Sequence, residues 1–148
     1  MTGIQSYLKL NKPVSIAPLV TFRITFGLLM FFSIARFCWR GWIDTVYVNP
    51  RFHFSYVGFE WIQPFGNIGM YLLFAAMLVS CLLIIIGFYY RAAIIIFFLS
   101  FTYVELIDVT TYLNHYYFIS LVAFLLIWLP ANRAYSLDAR LKKVKATT

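Results

Sequence analysis

IGMYLLFAAMLVSCLLIIIGFYY, residues 68–90, runs for 23 residues without a charged side chain. A helix rises about 1.5 Å per residue, so about twenty apolar residues cross the hydrocarbon core of a bilayer. The whole chain of 148 residues is 63% hydrophobic, 21% aromatic and 11% charged, whereas about a quarter of the residues of a soluble globular protein are charged. The sequence therefore predicts an integral membrane protein.

Apolar runs on either side of this segment predict three further spans. The four expected spans are residues 18–38, 68–90, 92–109 and 112–130. They predict an all-α, integral membrane four-helix bundle that forms a single domain over residues 1–148. A short amphipathic helix at Ile4–Leu10 is expected before the bundle, and a basic C-terminal tail over residues 131–148 after it.

The distribution of basic residues predicts the orientation of the bundle, because cytoplasmic loops carry an excess of Lys and Arg. Four spans place both termini on one side of the membrane. That side carries Lys9, Lys12, Arg91, Arg133, Arg140, Lys142, Lys143 and Lys145. The opposite side carries only Arg36, Arg40 and Arg51. A multi-pass protein with both termini in the cytoplasm is the prediction.

The net charge of +7 favours the lipid bilayer, with its anionic headgroups, as the partner, and no nucleic acid. The basic residues lie at the ends of apolar runs instead of on one face, which is not the pattern of a nucleic-acid-binding protein. The loop between Trp39 and Gly66 is rich in aromatic residues, which favour the headgroup layer. It is expected to lie flat on the outer surface or to fold back over the bundle as a lid. Cys38 and Cys81 are expected to be free thiols, because they lie at different depths.

ELIDVTTYLNH, residues 105–115, is a polar segment between two short apolar runs. Glu105 and Asp108 are three residues apart, a spacing that places both carboxylates on one helix face. Arg36 has the matching depth to pair with them, which predicts a structural ion-pair cluster. The alternative is that burial lets one carboxylate hold a proton and transfer it. Arg23 lies near the inner end of the first span and is expected to reach the inner headgroups as an anchor.

Asn114 and His115 open the fourth span. Asn114 is expected to cap exposed backbone N–H groups, and His115 to bind a polar headgroup or ring oxygen, or to shuttle a proton. A metal site is not expected, because only His53 could join these residues as a further imidazole ligand. The chain has no GxSxG, HExxH, P-loop or dinucleotide-binding fingerprint. The residues alone indicate a four-span bundle with a polar outer pocket.

Several separated motifs resemble one family. They are PRFHFSYVGFEWIQP (50–64), GFYYR (87–91), YLNHYYF (112–118) and LPANRAYSLDA (129–139). In this order, over about Val20 to Leu141, the chain resembles the vitamin K-dependent gamma-carboxylase-like membrane proteins, also called the HTTM domain. The resemblance implies a helical membrane carboxylase in which a reduced quinone is oxygenated, and the strong base so formed deprotonates a glutamate that takes up carbon dioxide.

The resemblance also implies site residues. Asn114 and His115 match the family's Asn-His pair, associated with the quinone, and Asp108 and Thr110 match its Asp-Lys-Thr segment. Val109 stands where that segment carries lysine. With the residues argued above, this gives a candidate ligand pocket of Asn114, His115, Asp108, Glu105 and Arg36.

Two functional hypotheses follow. In the full-length carboxylases this region resembles the N-terminal part of the membrane domain, and the lysine that acts as base on the hydroquinone comes later. The first hypothesis is a truncated or split carboxylase subunit that needs a partner chain with the remaining spans. The second is a non-catalytic four-span protein, similar to the small DoxX-like proteins, that binds quinone, lipid or a partner protein.

Overall fold

The computed structural model describes residues 15–146, with side chains as far as Leu141. The α-helices are α1 (Ala17–Trp39), α2 (Gly66–Ile86), α3 (Tyr90–Ile107), α4 (Asn114–Trp128) and α5 (Leu137–Ala146). A π-helical turn (Asp44–Val48) and a 3-10 turn (Val109–Thr111) lie between them. No strand occurs within 15–146, and the predicted all-α membrane fold is confirmed. The expected helix at Ile4–Leu10 lies outside the described residues.

Three of these helices are long and apolar enough to cross a membrane. Their mean hydropathies are 1.7 for α1, 2.6 for α2 and 1.6 for α3. The fourth, α4, has 15 residues and is about 22 Å long, against a hydrocarbon core of about 30 Å. It covers less than the expected span 112–130, because the backbone is extended at Tyr112, Leu113 and Leu129.

The helices α1 to α4 pack in chain order, each against the next. The α1–α2 contact needs a small residue at Gly27, where an added Cβ would lie 2.7 Å from Ile85 Cγ1. Small residues bring membrane helices together because lipid supplies no hydrophobic force between them. The core runs along α2 and α3, where Met70, Cys81, Ile94 and Phe97 are fully buried.

The loop between α1 and α2 folds back over one end of the bundle, which we call the aromatic end together with residues 108–113. Val109 N donates to Phe54 O at 2.8 Å, and Tyr103 Oη donates to Gln63 O at 2.7 Å. Tyr47 packs beside the stacked rings of Phe37 and Phe74. Other large side chains of the loop, such as Trp61, remain exposed. The inner residues of the loop therefore form a lid, and its outer residues suit the headgroup layer.

Residues 129–138 close the opposite end, which we call the tail end. Arg23 is fully buried there, and its guanidinium donates to Ala131 O at 2.9 Å and Tyr135 O at 2.8 Å. The expectation that Arg23 reaches the headgroups is therefore wrong. The residues after α4 fold back on α1 and supply carbonyl groups to Arg23.

Asp138 connects the tail to the hairpin between α2 and α3. Its carboxylate accepts hydrogen bonds from Tyr89 N at 2.9 Å and Tyr90 N at 3.1 Å. These are N–H groups at the start of α3, where an acidic side chain is stabilising. We call Arg23, Gly87, the segment 129–136 and Asp138 the tail latch. The start of the predicted basic tail is thus part of the folded bundle.

Candidate functional site

A cavity of about 140 Å³ lies near the aromatic end and is lined by all four helices of the bundle and by the lid. Its wall includes apolar side chains, among them Met30, Ile34, Phe74, Met77, Phe101 and Val104. A dry protein cavity of about 150 Å³ holds a molecule the size of benzene. The cavity is therefore large enough for one six-membered ring.

Three of the five residues predicted for the pocket line this cavity: Arg36, Glu105 and His115. Arg36 lies in the last turn of α1, Glu105 near the end of α3, and His115 in the first turn of α4. They come from three helices because α1, α3 and α4 reach the aromatic end together. Arg36 and Glu105, which were predicted to lie at matching depths, thus line one cavity.

The predicted ion-pair cluster does not form. Among the side chains that the structure describes, no Arg36 nitrogen lies within 4.0 Å of a Glu105 or Asp108 carboxylate oxygen. Arg36 and His115 are exposed, whereas Glu105 is half-buried. The cavity therefore presents a cation, a carboxylate and an imidazole that are separate from one another.

Glu105 is held by a short chain of hydrogen bonds. Its Oε2 accepts from Ser120 Oγ at 2.5 Å, and Ser120 Oγ accepts from Thr102 Oγ1 at 3.4 Å. Its other oxygen, Oε1, is buried and has no hydrogen-bond partner among the described residues. A buried polar atom without a partner costs about 1–3 kcal/mol, and more when charged. A ligand with a hydroxyl group would remove that cost.

Asp108 has a structural role outside the cavity. Because α3 ends at Ile107 and Asp108 is extended (φ −144°, ψ 116°), the expectation that Glu105 and Asp108 share a helix face is wrong. Asp108 Oδ1 accepts from Thr110 N at 2.9 Å and from Thr110 Oγ1 at 2.7 Å. The Asp and Thr of the matched segment therefore bind each other and start the 3-10 turn.

Replacing Asp108 with alanine is expected to destabilise the fold by about 1 kcal/mol, the usual effect of losing a capping oxygen. Asp108→Asn keeps an acceptor at Oδ1 and is expected to change stability by less than half of that. Thermal unfolding of the purified variants in detergent measures both. A large loss of ligand binding in Asp108→Asn with unchanged stability would contradict this structural role.

Asn114 is not part of the cavity wall. It is exposed and is the first residue of α4, whereas Leu113 occupies the N-cap position without a side-chain hydrogen bond. The expected cap by Asn114 is therefore absent. Only His115 of the Asn-His pair faces the cavity.

The cavity wall also holds polar side chains that were not among the five predicted pocket residues: Ser33, Tyr47, Thr111, Tyr112 and Tyr116. Burial, the largest cause, raises the pKa of Tyr47 far above its ordinary value, and a hydrogen bond with Thr111 opposes that rise. The phenol of Tyr47 thus stays protonated near neutral pH and can donate a hydrogen bond. In the sequence, Tyr47 is one aromatic residue among many in the loop.

His53 lies away from this cavity, in the loop, where its Nε2 is 3.3 Å from Val46 O. Within the described part of the chain, no group of three His, Cys, Asp or Glu side chains is placed to hold a metal ion. Cys38 and Cys81 are free thiols.

The four motifs of the sequence divide between the two ends of the bundle. YLNHYYF contributes Tyr112, His115 and Tyr116 to the cavity wall, and PRFHFSYVGFEWIQP forms much of the lid. GFYYR and LPANRAYSLDA meet in the tail latch, where Asp138 N donates to Gly87 O at 3.1 Å. Two of the four motifs thus lie at the candidate site, and the other two lie in the tail latch at the opposite end of the bundle.

Comparison with known proteins identifies the family. The model of a protein family described as the HTTM domain matches residues 11–148. No solved structure matches the chain. Since the match covers most of the sequence, this multi-pass membrane protein belongs to the HTTM domain family.

Proposed function

We propose that the protein binds the oxygen-bearing ring of a reduced quinone in the cavity at the aromatic end. The observation that carries the proposal is that Arg36, Glu105 and His115 line one cavity of about 140 Å³ without pairing with one another. The apolar part of the wall suits the ring, and the polar side chains suit its oxygen atoms. Arg36 donates hydrogen bonds only, whereas the histidine ring can donate or accept.

The reduced form fits better than the oxidised form because of Glu105. In this proposal Glu105 is ionised when the ligand binds. An ionised carboxylate accepts hydrogen bonds only, and the buried Oε1 of Glu105 has no donor among the described residues. The hydroxyl of a hydroquinone supplies a donor, whereas the carbonyl of a quinone would face the carboxylate with a second acceptor. Glu105 Oε1 is therefore the atom proposed to receive the ligand's hydrogen bond and, on ionisation of the ligand, its proton.

The role proposed for this chain is ligand binding, with carboxylase chemistry depending on a partner chain. No lysine occurs between Lys12 and Lys142, so the cavity has no amine to act as the base that the resemblance implies. The proposal also places the aromatic end outside the cytoplasm, as the basic-residue count predicts.

The test is equilibrium binding of two tail-less, single-ring probes, trimethylhydroquinone and trimethylbenzoquinone, to the protein in lipid nanodiscs without oxygen. The hydroquinone is expected to bind at least about 10-fold more tightly, because a hydrogen bond to a charged group contributes about 1.5–3 kcal/mol. Glu105→Gln should remove most of this preference, because the amide both donates and accepts. Arg36→Ala and His115→Ala should each weaken binding about 10-fold.

The chain offers matched controls for each change. His53→Ala removes the histidine outside the cavity, and Asn114→Ala removes the neighbour of His115 that does not line it; both should bind within about twofold of the original protein. Equal affinity for both probes, or unchanged binding in Arg36→Ala, His115→Ala and Glu105→Gln, would refute the proposal. Consumption of the hydroquinone by the protein alone, faster than in protein-free nanodiscs when oxygen and a glutamate-containing peptide are added, would contradict the proposed dependence on a partner chain.

A further inference from the structure

Ser120 is a buried polar residue inside an apolar helix. It lies near the middle of α4, and 8% of its surface is exposed. A serine within a helix often bonds to the carbonyl group four residues before it. The hydroxyl of Ser120 instead donates to Glu105 Oε2 on α3 at 2.5 Å. The one proton of this hydroxyl is therefore used to hold a side chain of the neighbouring helix.

The bond with Ser120 fixes the position of the Glu105 carboxylate. It holds Oε2 between α3 and α4 and leaves Oε1 without a hydrogen-bond partner among the described residues. Thr102 Oγ1 adds a longer and weaker contact to Ser120 Oγ at 3.4 Å. Because Ser120 accepts from Thr102, its own proton remains directed at the carboxylate.

Glu105 has an alternative partner across the same cavity. The side chain of Arg36 also lines the cavity, and its guanidinium makes no hydrogen bond or ion pair within the part of the chain that the structure describes. A guanidinium and a carboxylate attract each other and can form two parallel hydrogen bonds. The two groups nevertheless stay apart, and the bond that Glu105 makes with Ser120 lies on the α4 side of the carboxylate, whereas Arg36 belongs to α1.

We propose that Ser120 is a positioning residue whose hydroxyl keeps Glu105 out of an ion pair with Arg36, so that Glu105 Oε1 and the guanidinium both remain available to a ligand. The part that concerns the ligand rests on the proposed function of the cavity, whereas the separation of the two charges is a property of the protein alone. Hydrogen bonds between membrane helices contribute little to stability. Loss of the Ser120 hydroxyl is therefore expected to change the pairing of charges and the selectivity of the cavity more than the folding of the bundle.

The first measurement needs no ligand and compares the effect of Arg36→Ala on the melting temperature in two backgrounds. In the original protein the change should be less than about 2 °C, because Arg36 is exposed and has no ion pair there. In Ser120→Ala the fall should be at least about 3 °C greater, because Arg36→Ala then breaks an ion pair with Glu105. Ser100→Ala is the matched control background, since Ser100 is also 8% exposed and makes no hydrogen bond with Glu105; the effect of Arg36→Ala should stay below about 2 °C in it.

The second measurement compares the affinities for trimethylhydroquinone and trimethylbenzoquinone in nanodiscs. Ser120→Ala should reduce the preference for the hydroquinone from at least about 10-fold to less than about threefold. Ser120→Thr retains a hydroxyl group, and its added methyl group has room in a space of about 380 Å³ that Ser120 lines between α3 and α4. Ser120→Thr and Ser100→Ala should both keep the preference within about twofold of the original protein.

The two proposals fail in different ways. If neither probe binds the original protein, the proposed function of the cavity fails, and the melting temperatures still test the role of Ser120. Equal effects of Arg36→Ala in the original protein and in Ser120→Ala would refute that role, as would a Ser120→Ala protein that keeps the full preference for the hydroquinone. A preference lost to the same extent in Ser100→Ala or Ser120→Thr would show that the Ser120 hydroxyl is not its cause, which would also refute the role.

Discussion

Replacing Arg23 with alanine is expected to destabilise the protein by about 3 kcal/mol, because it removes a fully buried, hydrogen-bonded charged group. The carbonyl oxygens of Ala131 and Tyr135 would lose donors at 2.9 and 2.8 Å. The lost guanidinium also leaves a void where α1 meets the tail. One effect acts in the opposite direction: Arg23 Nε is buried without a hydrogen-bond partner among the described residues, and the substitution removes this unsatisfied donor. Two lost charge-assisted bonds and the void outweigh one unsatisfied N–H.

Thermal unfolding in detergent tests this prediction, with an expected fall in melting temperature of about 8 °C. Arg23→Lys keeps the charge, but an ammonium group lacks the planar fork that reaches two carbonyls, so an intermediate fall is expected. Arg91→Ala is the matched control, because Arg91 is an exposed arginine at the same end; its melting temperature should change by less than about 2 °C. An Arg23→Ala protein as stable as the Arg91→Ala control would show that the tail latch contributes little.

The membrane helices were predictable from the sequence, because the length of an apolar run is enough to indicate a membrane-spanning helix. The predicted span 68–90 overlaps α2 (Gly66–Ile86) over residues 68–86, and the polar groups around residue 105 mark where α3 ends. The limits of α4 were less predictable, because Tyr112, Leu113 and Leu129 are compatible with a helix by composition but have extended backbones. Next to this segment, Val109 N donates to Phe54 O of the lid, a contact with a distant part of the chain that composition does not reveal.

The candidate site was predictable from the sequence where it depends on how far along its expected span each residue lies. Arg36, Glu105 and His115 were expected at the same end of their spans, and they line one cavity. The prediction that Asp108 shares a helix face with Glu105 was wrong, because α3 ends one residue before Asp108. Ser120 gave no signal, because a serine within an apolar helix looks like a tolerated small residue until Glu105 is found to accept its hydrogen bond.

The contacts of Arg23 at the tail end were likewise not predictable from the sequence. Depth counting correctly separated it from Glu105 and Asp108, but its acceptors are carbonyl groups 108 and 112 residues away in sequence. Backbone carbonyls occur at every position, so no residue pattern distinguishes the two that an arginine will bind. Contacts of this kind can be predicted only when the path of the backbone after α4 is known.

Replacing Gly87 with alanine is the second change expected to have a large effect. Gly87 ends α2 in the left-handed region at φ +69°, a conformation that costs an L residue about 1–2 kcal/mol. An added Cβ would also lie 2.5 Å from Arg23 Nη1 and would overlap with Ser136 Cβ. Both neighbours belong to the tail latch, so the clash is relieved only if Arg23 or the tail moves away. We expect a total loss of stability of about 3 kcal/mol or more, the sum of backbone strain and overpacking.

Gly58→Ala separates the two causes. Gly58 also has a positive φ, +87°, but its Cβ would meet no atom within 4 Å in the part of the chain that the structure describes, so only the backbone cost of about 1 kcal/mol is expected. Limited trypsin digestion gives a second readout. Arg133 and Arg140 are exposed in the folded protein, so release of the tail should appear as faster cleavage after them in Gly87→Ala, with the original rate kept in Gly58→Ala. If both variants lose the same stability and keep the original cleavage rate, backbone strain alone explains the effect and the proposed close packing of Gly87 against Arg23 and Ser136 is wrong.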